Sequence, residues 1–197
     1  MGGEQQAYSS LTPIGRSRGR RSWRHLICLA AALAAPALLA QPASADVPTT
    51  VALPPEARIG DYVGKDVMIP MRDGVKLHAQ VWHPAEAKGP LPILMQRSPY
   101  GFEFEAVKHM FDGSFKELAA DGYIFVLQDI RGRFGSEGDF VMLRPMVDGK
   151  TKIDEATDTY DSIEWLTKSL PGNNGKVGIF GISYGGWTAA MATINPH

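Results

Sequence analysis

The 197-residue sequence predicts an α/β layered fold with a largely parallel sheet. Three observations predict it. Short apolar runs with β-rich composition, residues 91–95 and 123–127, alternate with segments of helical period, residues 104–120 and 154–170. An Asp73-Gly74 pair separates two strand-like runs, which is a hairpin signal. A last strand, residues 176–180, then runs directly into Gly181-Ile182-Ser183-Tyr184-Gly185 and a small-residue segment.

The first 45 residues stand apart. Arg16, Arg18, Arg20, Arg21 and Arg24 precede the apolar run LICLAAALAAPALLA of residues 26–40, and Ala43-Ser44-Ala45 follows. A basic head, an apolar middle and an A-x-A exit form a secretory signal, with cleavage expected after Ala45. The run is short for a membrane span and Pro36 interrupts it, so no stable membrane anchor is expected. A retained anchor is the alternative. Arg20-Arg21 leaves Sec and twin-arginine export both open. The expected destination is secreted or periplasmic.

Of 20 basic and 21 acidic residues, the signal holds 5 and 1, leaving a mildly acidic mature chain. Nucleic acid is excluded as a partner by that balance. The only cysteine, Cys28, lies in the apolar run, so the mature part has neither a disulfide nor a thiol nucleophile. No ligand-spaced metal cluster occurs, and Gly132, Gly135 and Gly138 lack the spacing of a nucleotide loop, so no metal or cofactor is expected.

Residues 46–64, rich in Pro, Ala and Thr at their start, read as an extended arm, and residues 65–197 as the folded domain. Residues 66–71 and 75–82 are the hairpin strands and residues 91–95 a short buried strand. A helical stretch over residues 104–120 follows, with Ser114 as a possible mid-segment cap. Residues 123–127 read as a central parallel strand that opens into a glycine-punctuated loop. The helix over residues 154–170 puts Ala156, Tyr160, Ile163, Leu166 and Leu170 on one face. Asp158, Asp161 and Glu164 fall opposite, where a solvated face is expected rather than catalytic carboxylates. The final helix is expected over residues 188–194.

Gly181–Gly185 fits G-x-S-x-G after a strand and before a helix, the context in which a serine becomes a nucleophile. The bend strains the serine backbone, so small neighbours are expected two residues away on either side. It sets the Ser183 hydroxyl at the positive end of a helix and directs the Tyr184 N–H at a developing oxyanion. The competing reading is a plain glycine turn. A second oxyanion donor would come from the loop after an earlier strand, Arg97-Ser98-Pro99-Tyr100, where the Tyr100 phenol is the candidate and turn packing the alternative.

Five stretches together, VMIPMRDGVKL, ILMQRSPYG, FVLQDIRGRFGSEGDF, EATDTYDSIEWL and NGKVGIFGISYGGWTAAMATINPH, resemble one family of serine hydrolases. That family includes X-prolyl dipeptidyl peptidases, cocaine esterase, glutaryl acylases and α-amino acid ester hydrolases. The likeness covers residues 65–197 and implies the N-terminal half of an α/β-hydrolase fold, broken off after the nucleophile elbow. It implies Ser183 as the acylated nucleophile, with the Tyr184 backbone N–H and the Tyr100 hydroxyl forming the oxyanion hole. Asp129, Arg131 and Gly132 match the family's strand-end loop, expected to be architectural. Trp187 is either packing or the wall of the acyl pocket. The substrate implied is a small ester, an amide or a short peptide, of α-amino acyl or X-prolyl type. Oligomeric state is not legible.

A serine of this kind needs a histidine base and an orienting carboxylate, in the order Ser, Asp or Glu, His. After Ser183 the sequence offers no Asp or Glu and only His197. A helical rise of about 1.5 Å per residue would put that histidine roughly 20 Å away. His78, His83 and His109 lie upstream and read as strand or surface histidines. The expectation is an inactive N-terminal fragment of a longer exported enzyme, with the substrate-ammonium carboxylates of the amino acid ester hydrolases in the remainder. The alternative is a complete, non-catalytic exported binding or remnant protein.

Overall fold

The computed structural model describes residues 52–147 and 153–197. The signal segment, residues 1–45, lies outside the described residues. Among the described residues, six strands form one sheet in the order β1-β2-β3-β5-β4-β6. They are β1 (Arg58–Ile59), β2 (Tyr62–Pro70), β3 (Lys76–Pro84), β4 (Leu91–Ser98), β5 (Ile124–Asp129) and β6 (Asn173–Ile179). Four helices of the described residues pack on it: α1 (Phe104–Asp112), α2 (Lys116–Ala120), α3 (Glu155–Ser169) and α4 (Tyr184–Met191).

The sheet is mixed. β1, β2 and β3 pair antiparallel, and β5 inserts between β3 and β4, antiparallel to the first and parallel to the second. Only β5, β4 and β6 make the parallel part. The expectation of a largely parallel sheet therefore holds for the strands that alternate with helices and fails for the hairpin side.

The hairpin turn is as expected. Gly74 has φ +87°, its N–H returns to the Met71 carbonyl at 2.9 Å, and Met71 N–H reaches Val75 at 2.8 Å. The sheet begins at Arg58, inside the segment read as an arm, because Ala57, Ile59 and Tyr62 bury their side chains. Tyr62 donates to the carbonyls of Ala119 and Tyr123 and so holds the α2–β5 turn; burial pushes its pKa up to about 12.

All six residues of β5 are buried, since helices cover both faces of the sheet. Phe125 and Leu127 join Phe111 and Phe115 of the α1–α2 layer, with the Phe115 and Phe125 rings stacked at 4.4 Å. Ile124 and Val126 face the other way, into a cluster with Leu166 of α3. Each such side chain contributes about 1.5–3 kcal/mol through burial.

Three helices differ from expectation. The stretch over residues 104–120 breaks at Gly113, which ends α1, and Phe115 N–H bonds back to Met110 at 2.7 Å. α3 begins with a capping box: Asp154 accepts from Thr157 N–H at 2.8 Å while the Thr157 hydroxyl oxygen accepts from Asp154 N–H at 2.9 Å. Its buried face is rotated toward the polar residues. Asp158, Thr159 and Ser162 are buried, whereas Tyr160 is exposed. α4 starts four residues before the predicted position, directly at the elbow.

Candidate active site

β6 delivers the chain to the elbow. Its last bond runs from Phe180 N–H to the Met95 carbonyl at 3.1 Å, after which the chain turns through Gly181 and Ile182. Ser183 sits at φ 57°, ψ −120°, a conformation that costs a residue with a side chain about 1–3 kcal/mol. Ser183 is exposed, and its side chain makes no capping bond to α4. Trp187 N–H bonds the Ser183 carbonyl at 3.0 Å and begins the helix. The first amides of a helix lack intrahelical acceptors, so the Tyr184 N–H is left at the positive end of α4.

The two flanking glycines differ in the room they leave. A Cβ on Gly181 would lie 2.2 Å from the Gly185 carbonyl carbon, which no relaxation absorbs cheaply. A Cβ on Gly185 would meet the Arg97 carbonyl oxygen at 3.6 Å, an ordinary contact. The expected small neighbours are therefore in place, with glycine itself required at 181 and room for a Cβ at 185.

Tyr100 lies just beyond β4, and β4 runs parallel to β6, so the two strands release Tyr100 and Ser183 at the same end of the sheet. In open α/β sheets this carboxyl end is where ligands bind. Pro99 is buried, and its carbonyl accepts from Arg133 Nε at 2.9 Å. Tyr100 N–H donates to Ser98 Oγ at 3.0 Å, which leaves the ring 65% exposed. Three rings then stand in a row: Tyr100 meets Tyr184 edge-on at 6.3 Å, and Tyr184 meets Trp187 edge-on at 5.2 Å. Trp187 thus packs against Tyr184 while remaining half-buried. The Tyr184 hydroxyl accepts from Leu143 N–H at 2.8 Å, and burial raises its pKa, so the phenol stays neutral.

Beneath these residues is a polar layer that the sequence reading missed. Arg97, fully buried, donates through Nε to Gln128 at 2.7 Å and through Nη1 to Thr159, with Glu155 Oε1 2.8 Å away. Burial pushes the Glu155 carboxyl above its usual pKa, and the Arg97 charge opposes this only in part. Arg131 lies between Asp158 of α3 and Asp73 of the hairpin turn. Asp161 pairs with Arg72 at 2.7 Å. The carboxylates read as a solvated face are therefore two ion-pair partners, Asp158 and Asp161, and one surface residue, Glu164, held by Lys168 and His197. The physical reason is that the interior arginines Arg97 and Arg131 require anions, met by Glu155 and Asp158, while Asp161 meets Arg72 at the hairpin turn. Arg97 and Arg131, each next to an apolar strand, were the available signal.

Asp129, Arg131 and Gly132 bond within the fold. Asp129 Oδ2 accepts from Gly135 N–H and lies 2.9 Å from His78 Nδ1. Gly132, at φ +68°, lies so close to the 138–140 backbone that a Cβ would come within 2.1 Å of Phe140 N. Three of the described histidines are engaged elsewhere than at Ser183: His78 between Asp66 and Asp129, His83 at the Pro84 carbonyl, and His197 on Glu164 at 2.5 Å with its ring beside Tyr160. His109 is exposed in the last turn of α1.

The chain is similar to known proteins in sequence and fold. Residues 73–197 match the profile of X-Pro dipeptidyl-peptidase (S15 family). Cocaine esterase of Rhodococcus sp. (strain MB1 Bresler) is 41% identical over 140 residues, 68% of this chain and 22% of that protein. An α-amino acid ester hydrolase superposes with TM-score 0.64 at 39% identity, covering 84% of this chain and 27% of its own. An aminopeptidase from a marine sediment archaeon, Thaumarchaeota archaeon, gives TM-score 0.63 at 39% identity over 78% of this chain and 26% of its own. The chain spans about a quarter of the length of these relatives. An exposed serine on a strained strand-to-helix corner, a six-stranded mixed sheet and these matches together establish that the chain belongs to the X-Pro dipeptidyl-peptidase (S15) family of ester and peptide hydrolases.

Proposed function

We propose that the chain is the nucleophile-bearing part of an exported serine hydrolase that cleaves small esters or amides of α-amino acyl or X-prolyl type. The observation that carries this reading is Ser183 itself, exposed at φ 57° with no capping bond, at the start of α4. A strained conformation of this kind persists where the fold over-determines it, as at reactive centres. In the proposed reaction Ser183 Oγ attacks the substrate carbonyl and its proton passes to a histidine base. The carbonyl oxygen becomes an oxyanion between the Tyr184 N–H and the Tyr100 hydroxyl. Collapse expels the alcohol or amine with that proton and leaves an acyl-Ser183 ester, which water then hydrolyses. His78, His83 and His197 are bonded elsewhere, His109 is exposed on α1, and the chain spans only about a quarter of the length of its relatives, so we assign the base and its carboxylate to the part of the family's length that this chain does not span. The basic, apolar, A-x-A leader supports export with cleavage after Ala45.

A fluorophosphonate probe tests the reading. In the full-length protein it is expected to label Ser183, and Ser183→Ala is expected to abolish labelling; a mutant that still labels overturns the assignment. Amino-terminal sequencing of the exported protein is expected to start at Asp46. A panel of α-amino acyl esters against X-prolyl amides then separates the two substrate types.

A further inference from the structure

The end of β6 leaves an unusual gap in the sheet. Met95 of β4 gives its carbonyl to the last β6 amide, Phe180 N–H, at 3.1 Å. Side-by-side strands repeat every two residues, so the Arg97 carbonyl points the same way as that of Met95. No β6 amide is there to meet it, because the chain has already bent away at Gly181 and Ser183. The Thr188 hydroxyl fills the place instead: Oγ1 lies 3.0 Å from the Arg97 carbonyl oxygen and 2.8 Å from the Gly185 carbonyl oxygen of its own helix. Thr188 and Arg97 are both fully buried. Gly185 packs against the same carbonyl, close enough that a Cβ there would touch it.

We infer that Thr188 is a positioning residue that sets the spacing of the oxyanion hole by tying the nucleophile helix to the strand end that carries Tyr100. The inference rests on the serine-hydrolase reading above. The two donors of that hole sit on separate elements, the Tyr184 N–H at the start of α4 and the Tyr100 hydroxyl three residues beyond Arg97. Donors serve an oxyanion only when both reach it at about 2.7–3.1 Å. Arg97 is itself fixed by Gln128, Thr159 and the Glu155 carbonyl, so its carbonyl is a firm anchor. The hydroxyl has one proton and two acceptors. It keeps Arg97 satisfied only while α4 is seated, so displacement of the helix leaves a buried carbonyl unpaired.

The test uses the full-length protein and a p-nitrophenyl ester. Thr188→Val keeps the shape and removes the donor; kcat and the acylation burst rate are expected to fall roughly tenfold with KM changed less than about twofold. Thr188→Ser is expected to bring the rate back to within about twofold of the parent. Tyr100→Phe is expected to cost several-fold less in the Thr188→Val background than in the parent, because the hole is already out of register. If the valine variant fails to fold, Thr188→Cys, with a weaker donor of similar size, is expected to acylate at a rate between those of the parent and the Tyr100→Phe variant. Parent-like acylation by a folded Thr188→Val or Thr188→Cys protein, or full additivity with Tyr100→Phe, overturns the inference. Loss of the serine reading would be seen separately, as fluorophosphonate labelling that survives Ser183→Ala.

Discussion

Asp158 grips Arg131 with both carboxylate oxygens, at 2.9 Å to Nε and 2.7 Å to Nη2, and both side chains are out of water. Burial opposes the guanidinium charge, but the bonds to Asp158 and Asp73 outweigh it and hold the Arg131 pKa above its ordinary value. The pair ties α3 to the loop after β5, so the helix that covers one face of the sheet also fixes the polar end where the serine emerges.

Removal of one buried partner leaves the other charge uncompensated. Asp158→Ala is therefore expected to cost about 3–5 kcal/mol in the full-length protein. Asp161→Ala breaks a pair whose arginine, Arg72, is substantially exposed, and is expected to cost at most about 1 kcal/mol. Denaturant midpoints of the two variants check the contrast. Similar losses for both would mean that Asp158 sits in water, against its burial here.

The comparison of these two aspartates also marks what the sequence could convey. Local chemistry was legible. Asp73-Gly74 specified its turn because Gly74 adopts positive φ, and the run over residues 123–127 specified a doubly covered strand because each of its residues is apolar or aromatic. The elbow was legible because Gly181, Ser183 and a following small-residue segment act within five residues of one another. Placement across the chain was not. β5 lies between β3 and β4, and no period in its own residues says so. Asp158 and Asp161 lie on the same side of α3, and which of them is buried depends on where Arg131 and Arg72 end up. The apolar stripe of α3 likewise put Tyr160 inward, whereas Glu155, Asp158 and Ser162 took the interior because Arg97, Arg131 and Gln128 needed partners there.

The strain at Ser183 separates stability from labelling. Alanine at position 183 keeps the strained φ of 57°, while glycine adopts it freely. Ser183→Gly is expected to be more stable than Ser183→Ala by about 1 kcal/mol, and neither is expected to react with a fluorophosphonate. Thermal midpoints in one buffer check this. An alanine variant as stable as the glycine variant would remove the case for backbone strain at the elbow.

Tyr100 supplies one of two proposed oxyanion donors, and its ring is open to solvent and held only edge-on by Tyr184. Tyr100→Phe deletes the donor and keeps the ring contact. A drop in kcat of roughly 10²-fold with KM nearly constant is expected, as for loss of one such donor. A rise in KM at constant kcat would instead make Tyr100 a substrate-binding ring.

His78 gives the fold a pH dependence. Burial of its ring works against the charge, but Asp129 at 2.9 Å on Nδ1 and Asp66 at 2.9 Å on Nε2 outweigh it, so its pKa stands above the ordinary 6.5. The folded state therefore binds this proton more tightly than the unfolded chain does. The stabilisation is fully present below about 6.5 and is lost as pH rises through the raised folded value. Asp129 closes β5 beside Ser98, so the same proton secures the strand ends that hold Tyr100. The denaturation midpoint is expected to fall from about pH 6 upward with a slope of at most about 1.4 kcal/mol per pH unit. His78→Gln keeps a donor for one aspartate and removes the titration, so its midpoint is expected to be flatter over the same interval. Parallel curves for the two proteins would mean that His78 is neutral between its carboxylates, and that the clamp owes its strength to neutral hydrogen bonds alone.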